Sequence, residues 1–204
     1  MKNKIKVLLA ALTVGGFLVG AQALFAETYD IDGSHSTIGF AVKHLMVSTV
    51  RGSFTDYKGQ IEFDGANLDA FKADVTIQVK SINTSVEARD NHLRSPDFFD
   101  AEAFPAITFV GKKLEAQGDG YVLTGDLTIR DVTKEIAIPV SISGPVKTPF
   151  GSDAIGLSGE ITINRQDYGV KWSKALDSGG MVVEDNVKLL IDLEAHHKAA
   201  EEKK

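Results

Sequence analysis

The sequence predicts an all-β protein, with eight or nine antiparallel strands folded as a sandwich or closed into a barrel under a short helical cover. Three observations predict it. Apolar and polar residues alternate over most of the chain, as in Val75, Ile77 and Val79 against Asp74, Thr76, Gln78 and Lys80, the period of strands with one face in a core. Turn signals such as Asp64-Gly65 and Asp119-Gly120 separate the runs, and nothing reads as the strand–helix–strand unit of a parallel sheet. The alternation stops at length only between Ser81 and Phe109, and again between Asn164 and Gly180.

Taken in order, the chain opens with Lys2, Lys4 and Lys6, the apolar run VLLAALTVGGFLVG and then Ala21, Ala23 and Ala26. A basic start, a short apolar run and a small-residue site describe a secretory signal peptide over 1–26, cut after Ala23 or Ala26. The run is short for a membrane span and contains Thr13, Gly15 and Gly16, so a cleaved leader is expected in place of stable membrane insertion. Export implies a periplasmic protein. With no cysteine anywhere, the mature domain, expected over 27–195, folds by core burial without a disulfide. The net charge of −6 becomes more negative once the leader lysines are gone. That excludes a basic footprint for nucleic acid and adhesion to an anionic membrane surface.

Tyr29–Asp32 starts a strand, Gly33-Ser34 turns, and Ile38, Phe40 and Val42 alternate along the next strand. His44–Val50 turns the chain, and Gly52–Asp64 returns it as one strand carrying Phe54, Ile61 and Phe63. Ala66–Phe71 suits one helical turn, followed by the strand around Val75 and Ile77. Within Ser81–Phe109, Thr84 or Ser85 is placed to cap a helix over 86–94 with Val86, Asp90 and Leu93 on one face. Pro96 suits the start of a second turn bearing Phe98 and Phe99, and Pro105 launches the strand of Ile107 and Phe109. Tyr121, Leu123, Leu127 and Ile129 share a face, as do Ile136, Ile138, Val140 and Ile142. Pro139 lacks a donor, which predicts a gap or an edge-like position in the sheet. A loop is expected from Gly144-Pro145 to Asp153. Ile155, Leu157, Ile161 and Ile163 form the next strand, Val187, Leu189, Ile191 and Leu193 the last, and 196–204 a charged tail.

These residues carry a resemblance. Asp32-x-x-His35-Ser36-x-Ile38-x-Phe40-x-Val42-x-His44 with Gly52-x-Phe54 resembles the opening of the YceI-like family of polyisoprenoid- or lipid-binding periplasmic proteins. Arg89-Asp90-x-His92-Leu93-x-Ser95-x-Asp97-Phe98-Phe99 followed by Pro105-x-Ile107-x-Phe109 is similar to its most specific block. Gly125-x-Leu127-Thr128-Ile129-x-x-Val132-Thr133-Lys134 and Arg165-x-Asp167-Tyr168-Gly169-Val170 also match its pattern; Asp131 stands where the family has glycine. The resemblance implies an extended eight-stranded antiparallel lipocalin-like barrel with an apolar tunnel. It also implies a bound long amphiphile such as a polyprenyl phosphate, an isoprenoid quinone or a fatty amide. Periodicity alone does not separate a hollow barrel from a solid one.

The tail of such a ligand would lie against Phe40, Val42, Val75, Ile77, Phe98, Phe99, Ile107, Phe109, Leu123, Ile138, Ile161 and Leu189. Arg89, His92 and Arg94 on the cover, with Lys171 and Trp172 from the second irregular stretch, are the candidates for its polar head. An arginine fork suits a phosphate, although Arg89 would equally serve to fix the cover through Asp90 or Asp97. No cofactor is required beyond a bound polyisoprenoid lipid or quinone. His35 beside Asp32, Ser34 and Ser36 invites a catalytic-triad reading, but neighbours on a strand face opposite ways and no nucleophile elbow is present. His35, His44 and His92 lack metal-ligand spacing, and His196-His197 is a weak tail site. A lipid carrier or store, an enzyme on a lipid head and a filled structural barrel are the three readings. Leu190, out of phase with its strand's inward set, marks a candidate homodimer contact.

Overall fold

A computed structural model describes residues 26–177 and 179–197. The leader expected over 1–26 lies outside these residues except for Ala26, as does the tail beyond His197.

Eleven strand segments form one antiparallel sheet that closes on itself: β1 (Glu27–Ile31), β2 (Thr37–His44), β3 (Ser48–Phe54), β4 (Tyr57–Phe63), β5 (Lys72–Gln78), β6 (Ile82–Asn83), β7 (Ala106–Gln117), β8 (Gly120–Ile129), β9 (Val132–Lys147), β10 (Asp153–Asn164) and β11 (Val183–His197). Apart from β6 to β7, bridged by the cover, and β10 to β11, bridged by residues 165–182, each joins the next by a hairpin or a short connection, and the staves follow one another around the barrel in chain order. β11 closes it by pairing with β1 (Tyr29↔His197) and with β2 (Leu189↔Phe40).

Eleven segments make eight staves because the first three staves are broken. β1 and β2 lie end to end along β11, β4 and β3 along those two, and β5 and β6 along these in turn. The run expected as one strand from Gly52 to Asp64 is therefore two, parted at Thr55-Asp56. The breaks sit side by side and bond to one another: the Tyr57 hydroxyl donates to the Ser36 carbonyl (2.6 Å), Thr55 N–H to Ser81 O (3.2 Å) and Gln78 N–H to Asp56 O (2.9 Å). Backbone groups that leave one ladder find partners in the neighbouring break, as buried amides require.

Alternation places one side of each stave inside. Two apolar clusters line the interior. One, beneath the cover, is built on Phe40, Phe54, Ile77, Ile107, Leu127 and Ile163; the other, at the far end, on Tyr29, Ile61, Phe63, Phe71, Leu123 and Leu157. At about 1.5–3 kcal/mol for each fully buried large apolar side chain, this burial is what holds a chain without cystines together.

Pro139 does sit at a gap. β9 pairs with β8 along its length, Pro139 opposite Val122, but its ladder to β10 runs only from Lys147 to Val140, the residue after Pro139. Gly144-Pro145 is not a loop; it lies within β9, where the register to β10 shifts, and the turn comes after Lys147. The tail begins later than expected, since His196 and His197 pair with Asp30 and Tyr29. A 3-10 turn, Leu68–Ala70, stands in the expected one-turn segment.

The cover is α1 (Glu87–Arg94) followed by tight turns over 96–103. Neither Thr84 nor Ser85 caps it. Val86 holds the cap position and is exposed, while Asp90 is buried and accepts both the N–H and the hydroxyl of Thr84. The Thr84 hydroxyl thus anchors the inner side of the helix and is not available to its first turn.

Candidate functional site

Under the cover the barrel is hollow. A cavity of about 180 Å³ runs from Val183 and Phe99 at the covered end to Leu157 and Leu193 between the far strands. A single water needs only about 10–15 Å³ on this scale, so this is a chamber and not a packing flaw. Its wall is aliphatic and aromatic, with Gly39 as the one residue lacking a side chain and Arg165 as the one bearing charge.

Eleven of the twelve residues expected along a ligand tail stand in this wall: Phe40, Val42, Val75, Ile77, Phe98, Phe99, Ile107, Phe109, Leu123, Ile138 and Leu189. Ile161 does not, although it packs against both clusters. Phe98 and Phe99 reach down from the cover. Phe99 meets Phe54 edge-on at 6.2 Å, and Phe54 meets Phe40 at 6.0 Å, a chain of rings from cover to wall. The Phe40 ring lies over Gly52 on the paired strand, where a Cβ would stand 2.5 Å from its Cζ, so glycine there gives the ring its room.

The polar residues expected at a ligand head have other work. Arg94 donates from Nε to Lys80 O (2.9 Å), from Nη2 to Ile82 O (2.7 Å) and from Nη1 to Asn91 Oδ1 (3.0 Å). Arg89 donates to the hydroxyl and carbonyl of Thr84. Both arginines fasten α1 to the chain entering it, and Arg89 pairs with neither Asp90 nor Asp97. His92 Nε2 lies 2.8 Å from Asp97, and its ring edge meets Phe98 at 5.0 Å and Trp172 at 5.3 Å. Phe98 and Trp172 also touch, at 5.3 Å, so His92, Phe98 and Trp172 join the cover to the second irregular stretch. Lys171 is exposed beside them. Arg89, His92, Arg94, Lys171 and Trp172 all stand outside the cavity wall.

Two arginines outside the expected set matter more to the geometry. Arg165 is buried, and all five of its N–H groups are engaged. Nε donates to Glu184 O, Nη1 to Val170 O and Trp172 O, and Nη2 to Val183 O and Asp185 Oδ1. Burial pushes its pKa down, and the Asp185 carboxylate opposes that. It ties the irregular stretch to the start of β11. Gly169, in the left-handed region at φ 76°, closes the turn that brings Val170 O within reach. Arg130, between β8 and β9, donates to Phe98 O (2.6 Å) and lies 5.0 Å from the Phe104 ring, holding the cover from the other side. No local pattern marks either role, because most of the acceptors are backbone carbonyls, which the sequence does not distinguish.

His35 does not sit in a triad. Its Nδ1 bonds Asp32 (2.7 Å), while the Ser36 hydroxyl exchanges bonds with the backbone of Glu194. Leu190 is half-buried on the outer face, opposite Gly39 and Glu160. No helix among the described residues is long and apolar enough to cross a membrane.

Comparison with known proteins follows the same lines. Residues 29–195 match the model of a YceI-like domain. A UPF0312 protein of Staphylococcus aureus (strain MSSA476) is 42% identical over 161 residues, covering 78% of this chain and 92% of its own. The crystal structure of a Campylobacter jejuni YceI protein superposes with a TM-score of 0.66 at 38% identity, over 77% of this chain and 90% of that one. A domain from Saccharophagus degradans, described as polyisoprenoid-binding and implicated in plant cell wall breakdown, superposes at 0.62 over 83% and 98% of the two chains. Its 16% identity makes it a likeness of fold.

Proposed function

The chain belongs to the YceI-like family, and from that premise we propose that it binds a long-chain amphiphilic lipid in its barrel, as a periplasmic carrier or store. One observation carries the reading: a continuous apolar cavity whose single charged wall residue, Arg165, has every donor engaged. Such a chamber has nothing to offer a polar substrate, and much to offer a hydrocarbon chain. Burial is worth about 0.8 kcal/mol per methylene, so even a short tail would bind measurably. A forty-carbon tail would exceed any observed affinity on that count, and its ordering, together with competition from membrane, offsets most of the gain.

We place the head group at the covered end. Next to Trp172, the Ser173 hydroxyl is buried without a hydrogen-bond partner, the kind of group a bound head would satisfy. His92 packs on the neighbouring Trp172 at 5.3 Å, and Lys171, two residues before Ser173, is exposed. A polyprenyl phosphate, an isoprenoid quinone or a fatty amide would each fit this division of apolar body and polar end. The S. degradans domain, described as polyisoprenoid-binding, is a barrel of the same fold. We read a binder in preference to an enzyme because the wall holds no free acid, base or nucleophile in contact with the chamber.

The test is native mass spectrometry of the protein taken from periplasm without detergent, with organic extraction of its cargo. A stoichiometric adduct that extracts as a prenyl quinone, prenyl phosphate or fatty amide is expected. An apo mass together with failure to take up added prenyl lipids would overturn the proposal.

A further inference from the structure

On the outer face of the barrel, away from the chamber, two imidazoles and two carboxylates converge. Glu194 and His196 project outward from β11, alternating with the buried Leu193 and Ala195. Asp32 and His35 come from the turn that breaks the first stave, and β11 holds that turn against itself. Asp32 N–H donates to Glu194 O (2.9 Å), and the Ser36 hydroxyl both donates to Glu194 O and accepts from Glu194 N–H. Four donor atoms then form a ring. His35 Nδ1 is 2.7 Å from Asp32 Oδ2 and 3.9 Å from Glu194 Oε1; His196 Nε2 is 2.8 Å from Glu194 Oε1 and 3.9 Å from Asp32 Oδ2.

We propose that Asp32, His35, Glu194 and His196 form a binding site for a divalent transition-metal ion, with zinc the cation the donor set suits best. Tetrahedral zinc with bonds of about 2.0–2.1 Å to nitrogen and oxygen sets its ligand atoms about 3.3 Å apart. Around the ring, the two short edges, now hydrogen bonds, need to open and the two long ones to close by roughly 0.6 Å each, and His35, exposed and outside the set of mutually close donors, is the ligand that must move in. Asp32, Glu194 and His196 already hold their donor atoms within 4.8 Å of one another. Imidazole nitrogens beside carboxylate oxygens favour zinc, nickel or cobalt over magnesium or calcium, which take oxygen.

The surroundings orient the ligands as a metal site requires. Asp32 Oδ1 accepts the Ser34 N–H (2.8 Å), which leaves Oδ2 directed into the ring. His196 Nδ1 faces the Ser152 hydroxyl at 3.4 Å, and that hydroxyl bonds Thr148 (3.0 Å), so the other ring nitrogen is the one presented to the cluster. The ligands come from a strand and from a turn bonded to it, both fixed by backbone hydrogen bonds. The ion would fasten the first stave to the last at the point where the barrel closes. This site is separate from the lipid chamber and stands or falls independently of it.

The test is zinc titration of the untagged protein by calorimetry, with cobalt as a spectroscopic substitute. One equivalent of zinc is expected, with a rise in melting temperature and the intense visible bands of four-coordinate cobalt. His35→Ala, on an exposed ring that carries no core packing, and His196→Ala are each expected to weaken zinc binding more than about tenfold. His44→Ala, on β2 and away from the cluster, should leave it unchanged. Absence of zinc uptake, or uptake that neither His35→Ala nor His196→Ala alters, would overturn the proposal. The cobalt spectrum of the unsubstituted protein decides the matter even where a variant folds poorly.

Discussion

The barrel has two unlike arcs. From β7 to β11 the staves run unbroken for 10 to 16 residues, and their alternation is read directly from the sequence. From β1 to β6 no segment exceeds 8 residues, and three staves break at one level. The cover follows β6, the short second half of the third broken stave. The same pairing rules built both arcs, yet the helical cover belongs to the arc where the ladders are interrupted, and the continuous arc adds the connections carrying Arg130, Arg165 and Trp172 that hold it. A continuous wall supplies rigidity, and an interrupted one supplies the turns from which side chains can be aimed inward.

If that contrast is right, damage to the two arcs should differ in kind. Arg165→Met on the continuous side removes five bonds and leaves buried carbonyls without donors. A loss of about 3 kcal/mol or more is expected, as a lower urea midpoint. The glycines sharpen the comparison. A Cβ at Gly125 would meet backbone atoms, Val110 O at 2.5 Å and Gly111 Cα at 2.9 Å, which cannot yield. At Gly52 it would meet the Phe40 and Thr84 side chains, which can. Gly125→Ala should therefore cost about 2–3 kcal/mol, and Gly52→Ala about 1 kcal/mol, measured by thermal melts. Equal costs would mean that the arcs are equally rigid.

Arg94→Ala should act locally. Losing the bonds to Lys80 O and Ile82 O is expected to cost about 1–2 kcal/mol, and to show as faster amide exchange over residues 87–104 while the protection of β7–β11 persists. Exchange that rises evenly through the barrel would show that the cover is part of the core. Smallest of all is Glu102→Ala. Its ion pair with Lys80 lies in the open, with side chains 85% and 60% exposed, so stability should change by less than about 0.5 kcal/mol.

The continuous arc was legible because a period of two is a local property. Ile155 and Leu157, or Leu123 and Leu127, declare a shared face within one strand. Most of the chamber wall follows, since inward faces meet once the sheet closes. The break at Thr55-Asp56 was not legible, because those two residues do not disturb the alternation enough to stop a strand; only the sideways bonds to Ser81 and Gln78 do. Arg94 read as a free donor, and Arg89 as either a donor or a fastener to Asp90 or Asp97, since a helix position says nothing about which carbonyls bend back toward it. Asp90 read as a face residue, but its partner, Thr84, is the residue that seemed placed to cap. The outer cluster was hidden by distance, with 158 positions separating Ser36 from the Glu194 backbone it holds.

That last pairing has a kinetic consequence. Neighbouring staves from β3 to β11 are joined by short connections, except at the cover and at residues 165–182, and can zip one after another as local hairpins. The seam between β11 and the first stave, Tyr29 against His197, joins residues from opposite ends of the described chain. Its closure entropy is the largest of any strand pairing among the described residues, and slow folding follows from contacts of that span. On that count the barrel is expected to form as a curl of hairpins with this seam closing last, its apolar interior facing water until it does.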